Sequence, residues 1–407
     1  MTQVWDAVVV GAGPAGCAAA ITLARAGHQV VVVDRAHFPR PKTCGDGLTT
    51  GALRLLEGLG LDPNPIRSWM PAHKVHLRSP SGRQVEFVLP RNRGQFAAVV
   101  PRLELDNALV QRAKAEGVEV IEGSACTGVT ERSDLIEIAL ADKPAVQASY
   151  LIAADGMWSP TRKYLGLSQN GYRGEWHAFC QYWNDVSPAA SRSVWVWFEE
   201  EILPGYMWLF PLPDGRANVG FGIRRNGKVS VSDMGSLWQK LPKREHIRAV
   251  IGDNATPEIN HRAWPIPACI DKIPLTSQRT MFAGDAAAAA DPMSGEGIAQ
   301  ALLTGIAAAN AIMAGGNAEN VMASYLHLVR RELFADHRMA RRLGRIMHTQ
   351  TGVRAAIRIA GLSSWTRRNF VRWLFEDYPR SILTTPSRWS RKPFTTPGAY
   401  RKTTVVS

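Results

Sequence analysis

Cysteine is scarce in this chain, and its spacing offers little chemistry. The five present, Cys17, Cys44, Cys126, Cys180 and Cys269, are odd in number and form no Cys-x-x-Cys pair, which argues against a disulfide framework and against zinc. Long apolar runs are lacking too. The longest, at 298–316, approaches spanning length but carries Gln300, Thr304 and Asn310 among Ala and Gly, so it reads as a buried helix. No signal-peptide pattern precedes the first strand, and a reducing cytoplasm is the expected compartment. Net charge is absent from most of the chain. Between Arg330 and the end stand 17 Lys and Arg against 4 Asp and Glu, which accounts for the whole net charge of +13. The last fifth is therefore a separate functional zone. No internal repeat and no second dinucleotide fingerprint is visible, so no separate NAD(P)H domain is expected.

The 407 residues, 45% apolar and 20% charged, suffice for a large core and two domains. The N-terminus reads WDAVVVGAGPAGCAAAITLARAGHQVVVVDR: a buried strand, a glycine turn, an Ala-rich helix and a second strand ending in Asp34. Gly11 makes the tight turn, and Gly13 lets backbone approach a pyrophosphate at the helix N-terminus. Gly16 permits close packing, and Asp34 accepts from a ribose hydroxyl. This unit alone does not separate NAD from FAD.

Two further stretches do. YLIAADGMWSPTRKYLGL, 150–167, is a strand ending in Asp155-Gly156, and MFAGDAAAAADPMSGEGIAQALLTG, 281–305, is a strand, a glycine-rich loop and a long helix. With the first unit they resemble the three fingerprints of the p-hydroxybenzoate hydroxylase superfamily of FAD enzymes, over residues 1–320. The resemblance implies FAD contacts from Gly11, Gly13, Ala15, Gly16, Asp34, Arg35, Cys44, Gly45, Gly47, Arg102, Cys126, Asp155, Gly284, Asp285, Gly295, Gly297 and Ile298. Asp285 would take a ribityl hydroxyl, and the amides at Gly297 and Ile298 would face the pyrimidine ring, where a helix N-terminus stabilises an anionic reduced flavin by about 0.5–2 kcal/mol. Arg102 could instead be a surface arginine at a helix start, and Asp155 a structural turn residue.

Within that superfamily two motifs choose a branch. Cys44-Gly45-Asp46-Gly47 matches the CxxG turn of the geranylgeranyl reductase family. LPGYMWLFPLPDGRANVGFG, 203–222, fits that family's YxWxFP…GxG pattern through Tyr206, Trp208, Phe210, Pro211, Gly220 and Gly222. Read directly, alternation puts Tyr206, Trp208 and Phe210 on one strand face, either a substrate wall or an ordinary sheet core. In the matched family the Cys44 loop lies beside the flavin, so its thiol could donate a proton, shuttle redox state or simply pack. The catalytic candidates are Cys44, Tyr206 and Trp208; the substrate candidates are Tyr206, Trp208, Phe210, Gly220 and Gly222.

The architecture expected is α/β: a Rossmann-like FAD-binding domain of the glutathione reductase/p-hydroxybenzoate hydroxylase type from 1–60, 100–165 and 270–320. An inserted mixed-β-sheet substrate domain takes 61–99 and 166–269, and 321–407 is a helical, Arg-rich C-terminal segment. The resemblance implies saturation of carbon–carbon double bonds in a polyprenyl chain, by hydride transfer from reduced flavin N5 plus protonation. The substrate would be an isoprenoid lipid, quinone or relative, and the external donor NAD(P)H or a ferredoxin-type protein. The alternative is an FAD-dependent monooxygenase or a halogenase. Trp195-Val196-Trp197 looks superficially like the halogenase WxWxIP, but Phe198 and Glu199 replace its Ile-Pro, and Lys74 reads as an exposed strand residue. In the C-terminal zone, Trp365, Phe370, Trp373, Phe375 and Trp389 interleave with Arg354, Arg358, Arg367, Arg368, Arg372 and Arg388. That mixture suits an anionic membrane surface, against the plainer reading of a solvated basic helix face. Nucleic acid is not expected, since no recognised module accompanies the charge. The expectation is a cytoplasmic protein peripheral to the inner face of the membrane.

Overall fold

The computed structural model describes residues 3–225, 227–363, 366 and 397–401. Its fold is a mixed α/β architecture of several sheets, with C-terminal helices. The first sheet follows from unbroken β-branched runs: Val30–Val33 is buried at every position, as a parallel strand covered on both faces requires. Val4–Val10 lies between Val30–Val33 and Val146–Ala153, parallel to both, and Glu119–Ile121 extends the sheet beyond Val30–Val33. Val146–Ala153 then forks. Its first half pairs antiparallel with Ile136–Leu140, and its last three residues pair parallel with Thr280–Phe282. The fork brings the ends of three fingerprint strands together.

Two helices of small residues, Pro14–Arg25 and Ile298–Met313, pack against each other beside this sheet. Their approach depends on Gly305, where a Cβ would stand 2.1 Å from the Ala15 carbonyl oxygen. The apolar run at 298–316 is thus largely a buried helix, and among the described residues no helix is long and apolar enough to cross a membrane.

The second sheet has eight strands. Six run in the order Thr256–Pro257, Trp176–Asn184, Arg216–Arg224, Tyr206–Leu212, Val194–Trp197 and Lys74–Arg78, with Gln84–Val88 at the edge and Arg262–Ile266 also on Trp176–Asn184. Period-two alternation sends Met207 and Leu209 into its far core and leaves Tyr206, Trp208 and Phe210 on the opposite face. A three-stranded sheet, Gly47–Thr49, Ala97–Val99 and Met70–Pro71, ties the Cys44 turn to the start of the helix Arg102–Ala115. Beyond Ile298–Met313, helices at Ala318–Val329, Ala335–Met347 and Gln350–Ala360 continue the chain, the first two joined through a π-turn at Arg330–Phe334.

Gly305→Ala puts its methyl group into backbone and should destabilise the FAD-loaded protein by about 1–3 kcal/mol. The check is the midpoint of chemical denaturation, and an unmoved midpoint would show that the helix pair relaxes freely.

Candidate active site

The three fingerprints meet at one end of a cavity of about 1580 Å³. Gly11 leaves its strand with φ +103°, and a Cβ there would meet the Ala154 carbonyl oxygen at 2.3 Å. Gly16 is a packing position behind the wall, where a Cβ would lie 1.8 Å from the Gly11 carbonyl oxygen. Gly13 is open. The nearest atoms to a Cβ on it are the Nη2 atoms of Arg102 and Arg40, each 3.9 Å away, so the helix N-terminus faces two guanidinium groups.

Arg102 is buried rather than a surface residue. Its Nε and Nη2 donate to the two carboxylate oxygens of Asp106 at 2.6 and 2.8 Å, and Arg40 Nη1 stands 3.1 Å from the same carboxylate. Burial opposes the Arg102 charge, but Asp106 outweighs it and holds the guanidinium pKa above its ordinary value. Asp34 accepts from the Ala12 amide at 2.7 Å and the Ala36 amide at 2.8 Å, which fixes its carboxylate with lone pairs to spare. Arg35 and Cys126 line the same end; burial pushes the Cys126 thiol up to about 11. Asp155 accepts from the Thr161 amide at 2.9 Å through Oδ2, while Oδ1 is buried without a protein donor. Ala15, Gly284, Asp285, Gly295, Gly297 and Ile298 also line the cavity.

These residues fit FAD. An anion has a helix N-terminus and two arginines at Gly13, ribose and ribityl hydroxyls have Asp34 and Asp285 to donate to, and the amides at 297 and 298 open the helix Ile298–Met313.

Next to this end, the CGDG turn and the aromatic strand interlock. Ring centroids run Phe198 to Tyr206 at 6.1 Å, Tyr206 to Trp208 at 5.9 Å and Trp208 to Phe210 at 6.1 Å. A Cβ on Gly220 would lie 2.3 Å from Trp208 Cζ2, and one on Gly47 2.8 Å from Phe210 Cε2. On Gly45 it would touch both rings at 3.4 Å. The glycines of both motifs therefore seat the rings of the wall. Gly222 lines the cavity beside Trp208, whereas Gly220 lies beneath the indole and does not. Trp208 Nε1 donates to Asn218 Oδ1 at 3.1 Å, and the Tyr206 hydroxyl donates to the Ser294 carbonyl in the glycine-rich loop before Ile298. Cys44 Sγ accepts from the Asp46 amide at 3.3 Å; burial first, and then the Asp46 charge, raise its pKa.

Sequence reading missed Arg40, Lys42, Tyr182 and Asn218, and gave Asp46 no role of its own. Arg40 and Lys42 were in plain view in PRPKTCGDG, two cations before the turn. Lys42 Nζ lies 3.3 Å from the Trp264 ring centroid, and burial lowers its pKa to about 8 against the pull of Asp285. Tyr182 had no local signal, since its partner Asp46 is 136 residues away.

Residues 4–320 match the FAD binding domain family, which makes the class that of FAD-dependent oxidoreductases. Menaquinone reductase of Mycobacterium tuberculosis is 35% identical over 326 residues, covering 75% of each chain. Digeranylgeranylglycerophospholipid reductase of Methanosarcina acetivorans is 29% identical over 334 residues, covering 77% of each. A geranylgeranyl bacteriochlorophyll reductase-like structure from Thermoplasma acidophilum shares the fold with a TM-score of 0.76 at 20% identity, over 95% of this chain and 100% of that one. The chain belongs to the geranylgeranyl reductase family of FAD-dependent oxidoreductases.

Asp285→Ala removes the carboxylate that would accept from a ribityl hydroxyl; leaving such a hydroxyl unpaired costs about 1–3 kcal/mol and should lower FAD occupancy of the purified protein several-fold. The ratio of flavin to protein absorbance reads this directly, and full occupancy would remove Asp285 from cofactor binding.

Proposed function

We propose that this protein saturates carbon–carbon double bonds in the polyprenyl chain of an isoprenoid lipid, quinone or related molecule. The observation that carries the reading is one continuous cavity. It runs from the flavin fingerprints past Cys44 and the Tyr206–Trp208–Phe210 wall to an apolar stretch lined by Leu77, Val194, Val196, Phe198, Met347 and Ala356. At about 1580 Å³ it exceeds the roughly 300–1,000 Å³ of an ordinary ligand pocket, which leaves room for a dinucleotide and an extended chain together. Menaquinone and digeranylgeranylglycerophospholipid, for which the two relatives are named, share a polyprenyl chain.

FAD held at the fingerprints would, once reduced, supply the hydride for one alkene carbon. The chain's own residues must hold the alkene, exclude water and place a proton on the other carbon. Holding is the larger task, because an isolated double bond has no polar handle and its rate depends on a near-attack position. Both polar tips of the wall are turned into protein, Tyr206 toward Ser294 and Trp208 toward Asn218, so the wall offers carbon to the chain. With Tyr206 tied to Ser294, the proton sources are Cys44 and the reduced flavin itself, and in this reading Cys44, which lines the cavity at the turn, is the donor. Its Sγ–H bond breaks as the new C–H bond forms, and the thiolate regains a proton from water once product leaves. Burial and the Asp46 charge favour the thiol over the thiolate, which is the state a donor needs. Tyr206 and Trp208 are then positioning residues of the wall.

The halogenase alternative loses its residues. Trp195 and Trp197 are in the core on the other face of the sheet, with Val196 toward the cavity, and Lys74 pairs with Glu86 at 3.4 Å away from the cavity lining.

A membrane-held substrate needs a mouth at the membrane. Ile346 and Ile359 line the cavity and are 55% and 58% exposed, with Leu362 beside them at 64%, while Arg342, Arg345, Arg354 and Arg358 are exposed on the same two helices. The reading places this rim on anionic lipid, where each basic residue contributes about 1 kcal/mol. Trp365, Phe370, Trp373, Phe375, Trp389, Arg367, Arg368, Arg372 and Arg388 lie outside the described residues.

Two measurements test these readings. Photoreduced, oxygen-free enzyme mixed with digeranylgeranylglycerophospholipid or menaquinone should be reoxidised, with two hydrogens added per double bond; reoxidation only with oxygen, giving a hydroxylated product, would contradict the reductase assignment. The full chain should co-sediment with phosphatidylglycerol vesicles but not phosphatidylcholine vesicles, and release as salt rises. Loss of binding in an Ile346→Asn/Ile359→Asn variant is expected, and equal binding to both vesicle types would refute docking through charge.

A further inference from the structure

Four polar side chains from four separate segments converge on the Cys44 turn. Asp46 is fully buried and holds a left-handed backbone at φ +66°, a conformation that Asp and Asn tolerate better than other side chains. Its Oδ2 accepts from the Tyr182 hydroxyl at 2.6 Å and from Asn218 Nδ2 at 2.8 Å. Its Oδ1 accepts from the Arg102 amide at 3.2 Å, and its backbone carbonyl accepts from the Val100 amide at 2.9 Å. Asn218 is fully used: Nδ2 also donates to the Cys44 carbonyl at 2.8 Å, and Oδ1 receives Trp208 Nε1.

Such a network is not the cheapest way to close a core. Desolvating a carboxylate costs several kcal/mol, and an apolar cluster of the same volume would serve folding at least as well. Its placement is specific, because the one residue it encloses on both sides is Cys44. The Asp46 amide holds the sulfur, the Asn218 amide holds the carbonyl, and Asn218 links both to the indole of the wall.

We propose that Asp46, supported by Tyr182 and Asn218, is the positioning residue for Cys44: it fixes the turn that carries the thiol and keeps it in the protonated form that can donate. The proposal rests on the reading of Cys44 as proton donor. The mechanism is electrostatic as well as geometric, since a carboxylate two residues away opposes formation of a second negative charge. Burial raises the Asp46 pKa to about 6 despite the hydrogen bonds from Tyr182, Asn218 and the Arg102 amide. Above that pH the carboxylate is charged and its repulsion of a thiolate is present; below it the repulsion fades. The other ionisable groups facing the turn are Tyr182 and Cys180 from the strand Trp176–Asn184, Arg102 from its helix, and Lys42 in the turn itself. Burial and the Asp46 charge push Tyr182 up, so it stays a neutral donor, and Cys180 is likewise raised, to about 12. Arg102 and Lys42 pull the Cys44 pKa the other way, so removing the Asp46 charge leaves burial alone to oppose them.

The test follows alkylation of Cys44 by iodoacetamide in oxidised holoenzyme across pH, with the Cys44 peptide quantified by mass spectrometry. Asp46→Asn keeps the shape and the left-handed backbone while removing the charge. Its Cys44 profile should move to lower pH, alkylating roughly tenfold faster at pH 8, the change that one unit of thiol pKa gives. FAD should be retained with unchanged substrate affinity, and the high-pH limb over which oxidation of reduced flavin by prenyl substrate falls off should move down together with the alkylation profile. Tyr182→Phe takes away a hydrogen bond that stabilises the carboxylate, so the inflection that Asp46 imposes should move above pH 6. An unmoved Cys44 profile in both variants, with FAD in place, overturns the role of the network and leaves the donor reading standing. A Cys44→Ser enzyme with an unchanged prenyl-dependent rate overturns the donor reading itself, and the proposal with it.

Discussion

The active site depends on one steric fact: the indole of Trp208 has a place to lie only because residue 220 has no side chain. With the ring over Gly220, its Nε1 reaches Asn218 and its edge meets the backbone at Gly45. Asn218 can then hold the Cys44 carbonyl and the Asp46 carboxylate together. The same turn continues into the short sheet that delivers Arg102 to the helix N-terminus at Gly13, through Val100 bonded to the Asp46 carbonyl and Arg102 bonded to its side chain. Wall, thiol and cofactor site are therefore one mechanical unit. A disturbance of the wall is felt at the thiol, because a buried, fully satisfied polar network has few alternative arrangements.

The electrostatic layout serves the same division of labour. Cations gather at a helix N-terminus suited to a phosphate group, Arg40 and Arg102 around Gly13, and Asp106 keeps that pair fixed. Along the proposed chain path the lining turns apolar, and the wall's polar atoms are drawn back into the protein. Positive charge returns on the C-terminal helices at the cavity rim, beside exposed isoleucines. A neutral body with a basic last fifth is what such an arrangement looks like in sequence.

What could be read in the sequence was what is written locally. The glycine fingerprints, the strand-end acids and the alternation of Tyr206, Trp208 and Phe210 each follow from spacing, and every one of those residues lines the cavity except Gly16 and Gly220, which lie directly behind it. Arg102 allowed two readings, and its burial against Asp106 excludes the surface one. The meeting of the CxxG turn with the aromatic strand was not legible, because each motif carries its own pattern and nothing in either gives the distance between them. Tyr182 and Asn218 escaped for the same reason: their partner in the turn is 136 and 172 residues away. The helices at 335–360 read as a charged zone. That two of them also wall the cavity follows only from how they pack on the second sheet.

Gly220→Ala tests the interlock most directly, since a single methyl group placed 2.3 Å from the Trp208 ring and 2.4 Å from the Phe179 carbonyl oxygen must displace the indole or the paired strand, neither of which belongs to the flavin fingerprints. The account predicts a variant that keeps its FAD, shows altered tryptophan fluorescence, and loses most of its oxidation of reduced flavin by prenyl substrate in oxygen-free single turnovers. An unaltered prenyl-dependent rate in a protein with full FAD and a shifted tryptophan signal would contradict it, because the wall would then have moved without consequence for the reaction.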